Sequence, residues 1–165
     1  MTLRIPIIQN VMFDPTVYVN RLDGELSLTN QKPQIVTVFP APTGSDAGIS
    51  GSFEVPQNYS SSPVMVARFI INGTPADTFA VGATILQVDV SETVDAAYEA
   101  EDLANISTWT GYSDEEEFSI SITLTPSSAL VPGRTVYYHF YRDDSVDTTT
   151  WSALLVRLMF QYTEA

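Results

Sequence analysis

The segments FSISITLT (residues 118–125), RTVYYHFYR (134–142) and WSALLVRLMFQY (151–162) decide the fold of this chain. In the first, apolar residues alternate strictly with Ser or Thr, which is the period of a β-strand with one buried and one solvated face. The second is aromatic and β-branched, which predicts a strand that is covered on both faces. The third is apolar almost throughout. The rest of the chain is therefore expected to cover or extend a β-sheet built from these three strands.

Other segments of the chain predict further strands and only one short helix. Four have strand composition, and loops rich in Pro, Gly and Ser separate them. A possible cap at Ser91, followed by helix formers, predicts one or two helical turns between 94 and 103. With about eight strands and no alternation of strand and long helix, the chain is predicted to be an all-β antiparallel sandwich. A jelly roll is the favoured topology and an immunoglobulin-type sandwich is the alternative. The four further strands are expected at residues 34–39, 52–55, 63–72 and 84–91, and loops at 43–50, 57–62 and 105–114.

Residues 1–33 differ in style from the rest, and we predict an N-terminal arm there, ahead of a sandwich domain spanning 34–165. Apolar residues cluster in the arm without a clean period, and short strands are expected around 16–22 and 25–28. An arm this apolar must bury itself, either on its own domain or on a neighbouring subunit. The arm residues expected to make such contacts are Arg4, Ile5, Ile7, Ile8, Phe13, Tyr18, Arg21 and Lys32.

Composition argues against several classes of protein. The 165 residues suit one domain, and the 44% hydrophobic content suits a real core. The chain has no cysteine, so disulfides, cysteine metal sites and cysteine nucleophiles are excluded. A net charge of −13 argues against a nucleic-acid-binding surface. No apolar run is long enough for a membrane helix, and the N-terminus resembles a signal peptide poorly, so we expect a protein that is synthesised in the cytoplasm and kept in its full form.

The acidic residues concentrate in one part of the chain. Between Arg68 and Arg134 there is no basic residue but eleven acids, so part of the surface should be strongly negative. The simplest interpretation is a solvated face that keeps the protein soluble. Two clusters of carboxylates have the residue types of a calcium site: Asp143, Asp144 and Asp147, and the acidic run at 114–117. Hydrogen bonding to loop amides explains the first group more simply, and no metal site or cofactor is predicted.

Enzyme chemistry has little support in the sequence. His139 is the only histidine and lies within a predicted aromatic strand, so a packed histidine is favoured over a member of a catalytic triad. Paired carboxylates are abundant, but a glycosidase needs two of them held across a cleft. We therefore expect a protein that is not an enzyme and has no catalytic residues.

A glycan site would use exposed aromatic rings beside carboxylates. Trp109 and Tyr112 are the candidate ligand-facing aromatics because they lie in a polar loop, and Trp151 and Tyr59 are further aromatics of this kind. The alternative is that such rings close one end of the sandwich.

Three segments, GSFEVPQNYSSSPVMVARFIING (51–73), ITLTPSSALVPGRTVYYHFYRDD (122–144) and TWSALLVRLMFQYTE (150–164), carry a family resemblance. The chain resembles, over about residues 33–162, the jelly-roll decoration (cement) proteins on the heads of tailed bacteriophages, among them those of cyanophages and other environmental phages. The resemblance implies a structural virion protein on the outer surface of the capsid, where a homotrimer bridges neighbouring subunits of the major capsid protein. It also implies that the arm residues named above contact the capsid or a neighbouring subunit. Phage head fibres and tail proteins carry similar domains, so a receptor- or glycan-binding module is the alternative.

Overall fold

The computed structural model describes residues 2–6, 12–13, 18–21, 35–89 and 98–165. Over these ranges the chain forms strands, turns and loops, with no helix. No membrane-spanning helix is therefore found among them. The strands are β1 (Thr2–Pro6), β2 (Met12–Phe13), β3 (Tyr18–Arg21), β4 (Ile35–Phe39), β5 (Ala47–Glu54), β6 (Tyr59–Asn72), β7 (Phe79–Val88), β8 (Asp102–Ile106), β9 (Glu117–Thr123), β10 (Thr135–Arg142) and β11 (Ser152–Glu164).

The eight strands from β4 onward form two four-stranded antiparallel layers. Sheet 1 has the order β4-β11-β6-β9 and sheet 2 the order β5-β10-β7-β8. The chain crosses between the sheets at every connection except the β7–β8 hairpin, and the first of the eight strands lies beside the last. This is the strand order of a jelly roll, so the predicted all-β sandwich and its favoured topology are confirmed.

The three short strands of the predicted arm extend these sheets through their backbones. β1 pairs with β11 and β3 pairs with β4, which adds both to sheet 1, while β2 pairs with β5 in sheet 2. β3 coincides with the strand predicted around 16–22, whereas the one predicted at 25–28 lies outside the described residues. The division into a 1–33 arm and a 34–165 domain stays a prediction.

Period-two alternation builds the core between the two sheets. In β9, Phe118, Ile120 and Ile122 are buried while the intervening Ser and Thr side chains are exposed, as the sequence predicts. Phe69 of β6 lies at the centre, with its ring 5.8 Å from that of Phe39 and 6.2 Å from that of Phe140. The two sheets are therefore joined by aromatic rings contributed from both.

Arg142, at the end of β10, fixes the loops at one end of the sandwich. It is 2% exposed, and its Nη1 donates to the carbonyl oxygens of Phe39, Pro40 and Trp151 at 3.2, 2.6 and 3.0 Å. Its guanidinium also lies over the ring of Phe79, 5.1 Å from the ring centroid. One side chain thus ties the ends of β4, β7, β10 and β11 together.

Four segments differ from the prediction. β5 begins at Ala47, inside the predicted 43–50 loop, and β6 begins at Tyr59, inside the predicted 57–62 loop. Residues there have turn-like composition, yet they are paired: Ser61 lies opposite Thr163, and Gly48 opposite Tyr141. The predicted helical turns are wrong from residue 98 onward: residues 98–101 are not helical, and β8 pairs with β7 from residue 102. Residues 90–97 lie outside the described ranges. β7 also begins earlier than predicted, at Phe79.

Candidate functional site: the outer face of sheet 2

Sheet 2 directs a row of rings away from the core. In β10, Val136, Tyr138 and Phe140 are buried members of the core, so by strand alternation Tyr137, His139 and Tyr141 belong to the opposite face. Two of the three side chains on that face, Tyr137 and His139, are only half-buried. The strand predicted to be covered on both faces is therefore fully buried on one face, and on the other face two of its three rings keep part of their surface exposed.

The neighbouring strands keep this row accessible with small side chains. On β5, Ser52, Ser50 and Gly48 lie level with the three rings, and on β7 the corresponding residues are Leu86, Thr84 and Gly82. Leu103 of β8 lies beside Gly82 and is 49% exposed. The surface formed by these positions, together with Tyr98 and Glu101, is called the platform below.

The two glycines are required because the rings lie close over the strands. A Cβ atom added to Gly48 would lie 2.6 Å from Cε1 of His139, and one added to Gly82 would overlap the ring of Tyr141. The rings of His139 and Tyr141 stack, with centroids 5.2 Å apart and an angle of 19° between their planes. Glycine at 48 and 82 therefore makes room for two stacked rings lying on the sheet.

Polar partners hold these rings in place. The Ser50 hydroxyl and His139 Nδ1 are 2.9 Å apart, and the Tyr141 hydroxyl donates to the Glu101 carboxylate. Burial and the hydrogen bond to Glu101 raise the pKa of Tyr141, so its phenol stays protonated at neutral pH. The platform thus has fixed rings and a carboxylate beside them.

The rim of the platform is exposed and its charge is negative. Tyr98 is 43% exposed, and burial together with the neighbouring Tyr137 raises its pKa. Glu101 is the charged side chain of the platform, and no Lys or Arg belongs to it as defined above. Arg134 stands at the end of β10, where it pairs with Asp89 at 3.1 Å. The geometry suits an uncharged ligand that offers apolar patches and hydroxyl groups.

The two predicted loop aromatics have different environments. The Trp109 ring contacts the rings of Phe118 and Trp151, at centroid distances of 5.2 and 5.4 Å, and its Nε1 donates to the Asp77 carbonyl oxygen at 2.8 Å. Trp109 thus closes the end of the sandwich. Tyr112 makes an edge contact with Trp109 and is 38% exposed. Trp151 and Tyr59 are buried.

The residues predicted for arm contacts can be placed only by their backbones. Arg4 and Ile5 lie in β1, Phe13 in β2, and Tyr18 and Arg21 in β3. Ile7, Ile8 and Lys32 lie outside the described residues. Their contact with a capsid or a subunit stays a prediction.

The acidic residues weighed as calcium ligands bind protein groups instead. Asp147 accepts hydrogen bonds from Arg142 and from the Ala80 amide, at 2.8 and 3.1 Å, and Asp144 accepts from the Thr43 amide at 2.9 Å. In the 114–117 run, Asp114 accepts from the Gly73 amide at 2.7 Å, and Glu117 pairs with Arg68 at 2.9 Å. Among the residues that the structure describes, no group of three or more His, Cys, Asp or Glu side chains is arranged to hold a metal.

The sequence alone does not reveal the platform. Its composition predicts an aromatic strand covered on both faces and a helical turn at residue 101. The usable pattern was the alternation in RTVYYHFYR, in which every second residue from Thr135 belongs to the outer face. A glycine in each neighbouring strand, at 48 and 82, marks where the rings lie.

Neither a protein-family model nor a curated protein matches the chain. Solved structures do share its fold. The CBM22-1 xylan-binding domain of Xyn10C from Paenibacillus barcinonensis has a TM-score of 0.51 at 13% identity, over 99% of this chain and 94% of that one. The family 11 carbohydrate-binding module of the cellulase Lic26A-Cel5E of Clostridium thermocellum has a TM-score of 0.52 at 10% identity, over 100% and 95%.

An enzyme contains a similar unit as one part of a longer chain. The arabinose-bound α-L-arabinofuranosidase MgGH51 has a TM-score of 0.52 at 11% identity, and the match covers 95% of this chain but only 24% of the enzyme. At such identities the similarity establishes the jelly-roll fold alone. It assigns no ligand and no reaction to this chain.

Proposed function

We propose that this chain is a non-catalytic binding module and that its platform binds a glycan. The observation that carries the proposal is the row formed by Tyr137, His139 and Tyr141 on the outer face of sheet 2, in which Tyr137 and His139 are half-buried. Sugar rings present apolar C–H patches that stack on aromatic faces, and hydroxyl groups that donate to a carboxylate such as Glu101. Tyr98 and Leu103 leave apolar area exposed at the rim, where a ligand would cover it.

The dimensions of the row favour a chain of sugars over a single one. Alternate residues of a strand are about 6.8 Å apart, so the row from Tyr137 to Tyr141 extends about 14 Å. Small residues flank most of the row, with Ser52, Ser50 and Gly48 on β5 and Thr84 and Gly82 on β7. An oligosaccharide lying along β10 would contact the half-buried rings of Tyr137 and His139, next to the buried ring of Tyr141.

The charge of the platform favours a neutral glycan. A ligand carboxylate or sulfate would lie beside Glu101 on a platform whose members include no cation. The ligand's negative charge and that of Glu101 would repel each other, most strongly where the ligand displaces water. Uronic acid polymers should therefore bind more weakly than neutral polymers with the same linkage. Two of the similar folds are named as carbohydrate-binding modules, which supports a glycan ligand by analogy of fold only.

The test is a glycan array followed by calorimetric titration with neutral and acidic oligosaccharides. Tyr137→Ala should weaken binding at least about tenfold, because truncating an aromatic anchor at the centre of an interface costs on the order of 2 kcal/mol. Tyr112→Ala, at the loop end of the sandwich, is the control and should leave affinity unchanged. An array without hits contradicts the proposal, and a loss on Tyr112→Ala alone would move the site to the loops.

A second candidate is capsid decoration, which the pairing of the arm strands favours. β1, β2 and β3 join the sheets through backbone pairing, and the same positions suit the arm of a neighbouring subunit. In this proposal a homotrimer on the outer surface of a phage capsid bridges subunits of the major capsid protein. A solution mass near three times 18.1 kDa, and loss of head binding on deletion of residues 1–32 with the sandwich still folded, would support it. A truncated protein that still decorates heads would contradict it.

A further inference from the structure

The sequence contains one Asn-Gly dipeptide, Asn72–Gly73, where β6 ends. Such a dipeptide can modify itself. The Gly73 nitrogen loses its proton and attacks Asn72 Cγ, the new C–N bond closes a five-membered succinimide, and the side-chain nitrogen leaves as ammonia. Water then opens the ring at one carbonyl or the other, which gives aspartate or isoaspartate. Glycine permits the attack best because it has no side chain to hinder approach.

The fold requires glycine at this position. Gly73 has a φ of +137°, and a Cβ atom there would lie 2.6 Å from Cβ of Trp151. Trp151 is a buried core residue whose ring stacks on that of Phe79. Another residue at 73 would displace this core contact, so the labile dipeptide cannot be removed through its glycine without cost.

Asp114 accepts a hydrogen bond from the Gly73 amide, whose proton must be removed before the nitrogen can attack. The Gly73 amide donates to Asp114 Oδ1 at 2.7 Å, and the same oxygen accepts from the Glu115 amide at 3.0 Å. A carboxylate that holds the amide proton opposes its loss, because the amide anion would form beside an existing negative charge. The same bond fixes the orientation of the Gly73 peptide group, which must rotate for its nitrogen to attack. Pairing of Asn72 with Ser152 in β11 further restricts the approach.

From this geometry we infer that Asn72 is a site of deamidation and that the hydrogen bond from Gly73 to Asp114 slows the reaction in the folded protein. The product would place a negative charge, or an extra backbone carbon in the isoaspartate form, beside Asp114. Repulsion between the carboxylates would weaken the hydrogen bond to Gly73. That bond and the Glu115 amide bond to the Ile71 carbonyl oxygen, 2.9 Å, attach the β8–β9 loop to the end of β6. Deamidation would therefore loosen the loop that carries Trp109.

The test is peptide mapping by mass spectrometry of full-length protein incubated at neutral to mildly alkaline pH. The folded wild type should deamidate at Asn72 at least about tenfold more slowly than the same chain held unfolded in urea. In folded Asp114→Ala, Asn72 should deamidate nearly as fast as in the unfolded chain, as expected for the loss of a hydrogen bond to a charged group. Asp114→Asn keeps an acceptor but removes the charge, and should give an intermediate rate.

Glu116→Ala is the matched control, because Glu116 accepts from the Ser113 amide in the same loop at 2.8 Å without touching Gly73. It should leave the rate at Asn72 near that of the wild type. Equal rates in folded and unfolded wild type would overturn the inference. So would acceleration by Glu116→Ala as large as that by Asp114→Ala, because general loosening would then be the cause. Circular dichroism confirms that each variant compared is folded.

Discussion

Arg142 and Asp147 form an ion pair inside the protein, with Nε and Oδ2 2.8 Å apart and the two side chains 2% and 0% exposed. The second carboxylate oxygen accepts from Nη2 at 3.1 Å, so the contact is bidentate. The pair lies five residues apart in sequence and closes the β10–β11 loop upon itself. Because Asp147 also accepts from the Ala80 amide, the pair joins this loop to β7.

Breaking this pair from one side should be costly. Asp147→Asn leaves the Arg142 charge buried without its counter-charge, and we expect the free energy of unfolding in urea to fall by about 3–5 kcal/mol. The control is Glu117→Gln, which breaks the Arg68–Glu117 pair, whose side chains are 43% and 45% exposed. That exposed pair should contribute at most about 1 kcal/mol. Similar losses in both variants would show that burial does not set the value of the Arg142 pair.

Gly82→Ala should displace the Tyr141 ring. The added methyl group would overlap the ring, and we expect a loss of about 1–3 kcal/mol of stability and a change in the near-ultraviolet circular dichroism of tyrosine. Gly82→Ala combined with Tyr141→Ala should cost less than the sum of the single changes, because the obstructing ring is gone. Strict additivity would mean that the ring does not lie over Gly82.

Trp109→Phe separates a structural role of the indole from a binding role. The change removes the hydrogen bond from Nε1 to the Asp77 carbonyl oxygen and keeps an aromatic ring against Phe118. Stability should fall by about 0.5–1.5 kcal/mol, while glycan affinity at the platform should not change. Loss of binding with unchanged stability would place the ligand at the loop end of the sandwich.

The stability of the fold should decrease above about pH 10. Burial raises the pKa of Tyr138 to about 12, whereas an unfolded tyrosine titrates near 10. Between these values the unfolded chain has already lost a proton that the folded chain retains. The contribution of the buried Tyr138 phenol to the free energy of unfolding is therefore complete below about pH 10 and is lost as the pH rises from about 10 to about 12.

Urea unfolding at a series of pH values measures this effect. In Tyr138→Phe, stability should fall less steeply above about pH 10, by at most about 1.4 kcal/mol per pH unit. Tyr112→Phe removes an exposed phenol and serves as the control. If the wild type and Tyr138→Phe have parallel pH profiles, the burial of Tyr138 does not contribute to alkaline unfolding.

The sequence predicts the fold where side chains decide the structure by themselves. Alternation in β9 assigns Phe118 and Ile120 to the core, and the absence of long helical segments excludes a parallel βαβ architecture. The sequence predicts the fold poorly where a small residue leaves room for a side chain from a neighbouring strand. Gly48 has the composition of a loop, yet it lies within β5 because a ring from β10 covers it. That contact involves residues about ninety positions apart, and no local pattern reports it.

The platform was missed for a related reason. Tyr137 and Tyr141 have the hydrophobicity of core residues, and only the register of three strands shows that their face has no second layer in the described structure. Glu101 was assigned to a helix because helix formers surround it. Its carboxylate accepts a hydrogen bond from the hydroxyl of Tyr141, which lies forty residues away in the sequence. Tertiary contact overrides local propensity here.

The position of β11 between β6 and β4 determines how this protein can fold. Leu154 pairs with Val38 on one side and Ile70 on the other, so sheet 1 has no continuous centre until residues 152–164 are in place. The N-terminal and C-terminal strands of the sandwich are therefore partners from opposite ends of the domain. Because the entropy of closing such long loops must be overcome before native pairs form, folding should be slow for a domain of this size. During synthesis, the edge of β6 that pairs with β11 stays unpaired until β11 is made, and in that interval the chain is most exposed to wrong strand pairing.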